Sequence, residues 1–302
     1  MTTIIVAVIL GVAVLLAGSL PWGVALAPLN LRIGVRVPWA VVPMAAYLWG
    51  YWTFVRGDWG SPAHAATRRH DLRAHALPGD VWPAALVAGL IGFGALLALI
   101  AVLARLVTLP QSAQIPTPAG MPAATMLVLL TMASVVAGVT EEAAFRGYMQ
   151  TPIEERYGLP LAILVNGTMF GLLHFPNHPD AVLTMLPYYI AVAAVYGGLT
   201  WAANSILPAL VLHAGGDVWS LGRLWLTGRP EWQLSTSPAA LVRDTGVDTG
   251  FAIAVASLLA LSGLTVAAYQ AVRRLGVAAV TSTADAERPR AGEQDGTHQP
   301  QL

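Results

Sequence analysis

Three groups of polar side chains interrupt apolar segments in the second half of this chain. Charged and ionisable residues in such segments are costly to bury and usually serve a function. Each group contains two residues four positions apart, which lie on one face of a helix. The groups are Glu141, Glu142 and Arg146; His174, with the apolar Phe170 four residues before it; and His213 and Asp217.

The first group divides into a structural pair and a free carboxylate. Glu142 precedes Arg146 by four residues, the favourable order for an ion pair within one helix. We therefore predict that Glu142 and Arg146 neutralise each other and support the site. Glu141 points about 100° away around the helix and must find its partner on another element.

The second and third groups can reach Glu141 by helix packing. Glu141 and His174 lie about 16 residues on either side of a turn near Tyr157–Pro160. An antiparallel helix pair therefore sets them at the same depth. His213 and Asp217 share one face of a later helix. Phe170 is predicted to pack behind His174.

Activation of a water molecule against a carbonyl carbon suits this set of residues. A carboxylate in a site of low dielectric gains proton affinity and can act as a general base. Histidines can share that proton, donate to an oxyanion or bind a metal ion. Hydrolysis of a peptide bond is the reaction that we predict, with Glu141, His174, His213 and Asp217 as catalytic candidates.

The pattern EExxxR, FxxxH and HxxxD on consecutive apolar helices resembles the CAAX-processing and bacteriocin-processing intramembrane proteases, the CPBP or Abi family. The type 2 CAAX prenyl endopeptidases are its eukaryotic relatives. The resemblance covers roughly residues 120–220 and extends to the context Gly-Val-Thr-Glu-Glu and Phe-Arg-Gly-Tyr. It implies that Glu141 activates the water beside His174. It implies that His213 and Asp217 stabilise the oxyanion.

The resemblance leaves two mechanisms and two other functions open. Many members are labelled metalloproteases, while a glutamate mechanism without metal has also been argued. Asp217 stands where the prenyl endopeptidase type has Asn, and an ionised Asp cannot donate to an oxyanion. The four catalytic candidates could instead bind zinc or another divalent metal with an open water position. A non-catalytic family member, acting for example in bacteriocin self-immunity, and a proton-coupled transporter are the alternative functions.

The elements that carry these groups are predicted to be membrane helices. Of the 302 residues, 56% are hydrophobic and only 11% are charged, whereas soluble domains have about 25% charged residues. An ordinary soluble enzyme is thereby excluded, and the absence of Cys excludes a thiol nucleophile. A span needs roughly 20 apolar residues. The eight candidate segments are 3–27, 38–55, 82–107, 122–145, 159–176, 181–201, 205–226 and 249–272.

The fold class predicted is therefore all-α, a polytopic protein of the cell membrane with about eight spans. Its partners are the lipid bilayer and a membrane-associated protein or peptide substrate; the zero net charge argues against a nucleic acid. Arginine-rich loops stay in the cytoplasm, so residues 56–80 and both termini are predicted there. The regions predicted are 1–110 (first helices and loop), 120–220 (catalytic core), 221–275 (external loop and last helix) and 276–302 (disordered tail).

Overall fold

The computed structural model describes residues 1–110, 115–174, 182–235 and 238–287, which form helices and no β-strand. The predicted all-α fold is confirmed. The helices are α1 (Thr2–Leu20), which continues through a π-helical turn (Pro21–Leu26) into α2 (Ala27–Arg32); α3 (Val41–Val55); α4 (Pro62–Leu72); α5 (Val81–Leu106); α6 (Ala123–Glu141), which continues through a π-helical segment (Glu142–Met149) into α7 (Gln150–Tyr157); α8 (Leu159–Leu173); α9 (Val182–Ala203); α10 (Leu207–Thr227); α11 (Val242–Thr245); and α12 (Thr249–Glu287).

All eight predicted segments contain a helix, but fewer than eight are long and apolar enough to cross a membrane alone. Within the described residues five meet that condition, so the chain has the pattern of a multi-pass membrane protein. They are Thr2–Arg32, Val81–Leu106, Ala123–Tyr157, Leu183–Ala203 and Thr249–Ala278.

The other three segments fall short for identifiable reasons. Helices α3 and α8 have 15 residues each, about 22 Å of helix, against a hydrocarbon core of about 30 Å. Helix α10 has 21 residues but carries His213, Asp217 and Arg223. Three of the eight predicted spans therefore do not meet the length and composition condition by themselves.

One end of the helix bundle, here called the Arg73 end, joins the N-terminus to residues 56–80 and the α7–α8 turn. The Met1 ammonium donates to the Tyr157 hydroxyl at 3.0 Å. Arg73 reaches Glu154 of α7, with 3.1 Å between Nη1 and Oε1. The hydroxyl of Ser205, after α9, donates to the carbonyl of His75. These contacts place the predicted cytoplasmic parts of the chain on one side.

The opposite end, here called the Arg105 end, joins residues 33–40, 107–110, 115–122, 228–235 and 238–248. Arg105, at the end of α5, forms an ion pair with Asp248 at 2.8 Å. The indole of Trp232 donates to the carbonyl of Pro110 at 2.8 Å. The Thr125 hydroxyl donates to the carbonyl of Arg36 at 2.8 Å.

Two glycines set the helix packing that positions the polar groups. Gly158 has φ +88°, which favours glycine, and it ends α7 where α8 begins. A β-carbon on Gly138 would lie 2.8 Å from Cβ of Ala214 and 3.0 Å from its nitrogen. Helices α6 and α10 can therefore approach closely only with glycine there. This approach brings the end of α6 beside His213.

Helix α12 extends further than the sequence predicted. It continues to Glu287, whereas a disordered tail was predicted from residue 276. Residues 276–287 are helical, and the rest of the predicted tail lies outside the described residues.

Candidate active site

A cavity of about 260 Å³ lies among α5, α6, α8, α9 and α10 and brings the four catalytic candidates together. Glu141, His174, His213 and Asp217 all line it. The cavity extends from these residues toward the Arg105 end, where residues 230–232 complete its wall. The remaining wall is largely apolar or aromatic, contributed by residues such as Phe93, Leu96, Ile100, Val192, Trp219 and Leu224.

His213 is the residue that the acidic groups share. Its Nδ1 lies 2.7 Å from Oε1 of Glu142, a short hydrogen-bond distance. Its Nε2 faces the other two carboxylates, 3.6 Å from Oε2 of Glu141 and 3.7 Å from Oδ2 of Asp217. The ring of Tyr196 stacks on the imidazole, with centroids 5.1 Å apart. One nitrogen is thus held firmly, and the other faces the cavity beyond ordinary hydrogen-bond distance from either acid.

The predicted pair of Glu142 and Arg146 is present, but Glu142 has a second partner. Arg146 Nη1 lies 3.1 Å from Glu142 Oε1, and both side chains are fully buried. The same oxygen is the one nearest His213. The sequence predicted α-helix here, whereas Glu142–Met149 is π-helical, a form frequent at functional sites. Glu142 therefore connects the arginine to the imidazole and supports the site directly.

Arg146 is held by aromatic faces as well as by Glu142. Its guanidinium carbon lies 5.2 Å from the Tyr196 ring centroid, 5.5 Å from that of Phe170 and 5.9 Å from that of Phe145. None of its three side-chain nitrogens has a hydrogen-bond partner among the described residues. Its contacts are therefore ionic and cation–π in character.

His174 lies on another wall of the cavity with a fixed orientation. Its Nδ1 lies 2.8 Å from the carbonyl oxygen of Phe170. A carbonyl oxygen only accepts, so Nδ1 carries the proton and Nε2 of the neutral ring is an acceptor. Phe170 and Tyr189 pack against the imidazole, with centroids 4.5 and 5.1 Å from it. Phe170 thus occupies the packing position that the sequence predicted.

Glu231 is a cavity residue that the sequence analysis missed. One of its carboxylate oxygens accepts from the Tyr188 hydroxyl at 2.8 Å, and the other from Ser220 at 2.6 Å. These donors lie on α9 and α10, so Glu231 fastens the loop after α10 to both helices. No spacing in the sequence indicates this contact, because it depends on how a loop folds back.

The four candidates were also predicted as a zinc set. In the part of the chain that the structure describes, no three His, Asp or Glu side chains are arranged to hold a metal ion. His213 directs Nδ1 to Glu142, and His174 directs Nδ1 to a backbone carbonyl, contacts that also accompany metal-bound histidines. The zinc set therefore stays a prediction.

Comparison with known proteins gives one match. Residues 123–219, about a third of the chain, match the family model described as "Type II CAAX prenyl endopeptidase Rce1-like". No curated protein and no solved structure matches the chain. The matched range runs from the first residue of α6 to Trp219 on α10 and contains all seven predicted site residues. The segment 123–219 is therefore similar to the Rce1-like family, in agreement with the resemblance that its three motifs carry.

Proposed function

We propose that this protein is an intramembrane endopeptidase that hydrolyses a peptide bond with a water activated by Glu141 and His174. The observation that carries the proposal is the cavity itself. It places a carboxylate, an imidazole with an accepting nitrogen and a second imidazole around one space inside the helix bundle. They supply a general base, an acceptor for a hydrogen bond from the water, and a donor of a hydrogen bond to the oxyanion. Acyl transfer to water needs these three groups.

Glu141 is the general base in this mechanism. Its carboxylate lines the cavity, and its one ionic contact among the described residues is His213 at 3.6 Å. It takes a proton from a water whose second hydrogen is bound by His174 Nε2. The resulting hydroxide adds to the carbonyl carbon. The proton then passes from Glu141 to the amide nitrogen as the carbon–nitrogen bond breaks.

His213 stabilises the oxyanion that forms during this addition. With Nδ1 donating to Glu142, a doubly protonated ring also presents an N–H from Nε2 to the cavity. Nε2 lies beyond ordinary hydrogen-bond distance from the carboxylates of Glu141 and Asp217, so its N–H is available to an oxygen atom in the cavity. Asp217 orients the ring and does not need to donate. The proposed mechanism uses these side chains alone, since no three His, Asp or Glu side chains of the described residues are arranged to hold a metal ion.

The Arg73 end is proposed to face the cytoplasm. It carries Arg56, Arg68, Arg69, Arg73 and Arg156 on or beside its loops, as the positive-inside rule requires. The cavity extends toward the Arg105 end, so substrate reaches the site from the non-cytoplasmic half of the membrane.

Cysteine labelling tests this orientation, since the chain has no cysteine of its own. Ala63 and Ala239 are exposed at the Arg73 and Arg105 ends. In intact cells an impermeant maleimide should label Ala239→Cys and leave Ala63→Cys unlabelled until the membrane is opened. Labelling of Ala63→Cys alone would invert the orientation, and labelling of both from one side would refute the arrangement of the two ends.

The proteolytic function is tested by comparing the termini of membrane proteins in wild-type cells and cells with Glu141→Ala. New termini that depend on Glu141 support the proposal and identify the substrate. Glu155→Ala, which removes an exposed acid from α7, is the matched control. A cellular phenotype that survives Glu141→Ala, without any terminus that depends on Glu141, would favour the non-catalytic, immunity-type function.

A further inference from the structure

A second, almost wholly apolar groove of about 390 Å³ lies on the opposite side of α9 from the active-site wall formed by Val192 and Tyr196. Helices α5, α8, α9 and α12 form its sides. Small side chains on α9 leave it open, because Ala191, Ala194 and Gly198 all line it. Tyr269 also lines the groove, and its hydroxyl already donates a hydrogen bond to the carbonyl of Val195 at 2.8 Å.

The groove continues into a basic recess at the Arg73 end. Trp201 and Gln270 line both the groove and an adjoining cavity of about 500 Å³. Arg273 and Arg274 line the second cavity, and the Arg273 guanidinium carbon lies 4.3 Å from the Trp201 ring centroid. No carboxylate in the described residues forms an ion pair with either arginine.

The dimensions of the groove match one leaflet of a bilayer. The lining follows α12 from Leu258 to Gln270, about 18 Å along the helix axis. Half of the hydrocarbon core is about 15 Å. The apolar part therefore has the length of an acyl chain within one leaflet, and the arginines lie where its headgroup would be.

We propose that this groove binds an anionic phospholipid, with an acyl chain along α9 and α12 and the phosphate at Arg273 and Arg274. The charge favours an anionic lipid, because two exposed cations without an acidic partner among the described residues attract a net negative headgroup more strongly than a zwitterionic one. The site is separate from the catalytic residues, so the proposal is independent of the proteolytic function.

The headgroup contact is tested with full-length protein reconstituted in vesicles of equal parts phosphatidylglycerol and phosphatidylcholine. After purification in mild detergent, native mass spectrometry counts the retained lipids. Wild-type protein should retain phosphatidylglycerol in preference to phosphatidylcholine. The double variant Arg273→Gln/Arg274→Gln should lower that preference by about tenfold or more, since each arginine adds to the attraction.

The matched control removes two exposed arginines at the Arg105 end, Arg32→Gln/Arg36→Gln, and should retain the wild-type preference. Equal retention of the two lipids by wild-type protein would overturn the proposal. Equal loss of phosphatidylglycerol from both double variants would also overturn the proposal.

The acyl-chain contact is tested by filling the groove. Ala194→Phe places a large ring in it and should reduce retention of phosphatidylglycerol, whereas Ala252→Phe, on an exposed part of α12 away from the groove, should not. Undiminished retention by a monodisperse Ala194→Phe protein would overturn the placement of the chain. This variant keeps the proposal testable if the arginine variant does not fold.

Discussion

Two polar clusters with buried ionic partners lie at different depths of this molecule, and their geometries differ. At the Arg73 end, Arg73 donates from Nε to Thr151 at 2.7 Å and from Nη1 to Glu154 at 3.1 Å. Thr151 in turn donates to the carbonyl of Asp71 at 2.8 Å. The donors and acceptors there are joined at hydrogen-bond distance, as a network with a structural role requires.

The cluster around His213 is closed on one side only. Behind the imidazole, Glu142 is in short contact with both His213 and Arg146. In front of it, Glu141 and Asp217 lie 3.6 and 3.7 Å from Nε2 and face the cavity. The front carboxylates thus keep their capacity for hydrogen bonds available for water and substrate. This difference separates a structural network from a site that can do chemistry.

The largest expected effect is on the front of the His213 cluster. Glu141→Gln keeps the shape of the side chain and removes the base, so hydrolysis should fall by about 10²–10⁴-fold. Folded yield should not change, since Glu141 makes no short contact among the described residues. Glu154→Gln is the matched variant in the Arg73 cluster and should reduce thermal stability without reducing the rate per folded molecule. Cleavage of the substrate by purified protein measures the rate for each variant, and thermal denaturation measures the stability.

A change behind the imidazole should act mainly on folding. Glu142→Gln leaves the buried Arg146 without a charged partner, and breaking such a pair costs about 3–5 kcal/mol. Folded yield after membrane extraction should therefore fall well below that of Glu141→Gln. Loss of activity in both variants with equal, undiminished yield would show that the two glutamates do not have the separate roles assigned here.

The sequence predicted that the three motifs lie close together, because the helix period and the geometry of a helical hairpin are enough to predict this proximity. It placed Glu141, His174, His213 and Asp217 correctly around one cavity. For Glu142 the sequence predicted a single partner, Arg146. The prediction assumed a regular α-helix, which indicates neither the π-helical segment nor the contact of Glu142 with His213. Contacts across distant segments, such as Glu231 with Tyr188, carry no periodic signal at all.

Three of the eight predicted spans fall short of the length and composition condition for a physical reason related to the site. Apolar stretches predict that a segment is buried, but a helix enclosed by protein can be shorter or more polar than one that faces lipid. Helix α8 is short, and α10 carries His213 and Asp217 toward the cavity. The elements that hold catalytic groups are thus among those that the span criterion excludes.

A smaller effect is expected at Asp217 and decides between the two mechanisms. Asn at this position still accepts a hydrogen bond, so the metal-free mechanism should retain activity within about tenfold, or about 1.4 kcal/mol. A zinc site would lose a carboxylate ligand, and both bound metal and activity should collapse. Metal analysis of purified wild-type and Asp217→Asn protein, together with cleavage rates, separates the two. Stoichiometric zinc in the wild type that disappears with activity in the variant would refute the mechanism proposed here.

The smallest effect is expected at the Arg105 end, where an exposed ion pair contrasts with both buried clusters. The hydrogen bond from Arg105 lowers the pKa of Asp248 to about 2. A carboxyl group with a pKa lowered on folding stabilises the folded state above its unfolded pKa of about 3.9, and that contribution disappears as the pH falls through the folded value. The Tm of the wild type should therefore exceed that of Asp248→Asn slightly at pH 5, and the difference should shrink as the pH falls and vanish only below about 2. Asp244→Asn, which alters a neighbouring exposed acid whose ionic partner among the described residues is Arg243, is the control. A difference that stays constant across this range would show that Asp248 acts through its hydrogen bond to the amide of Phe251 without any contribution from its charge.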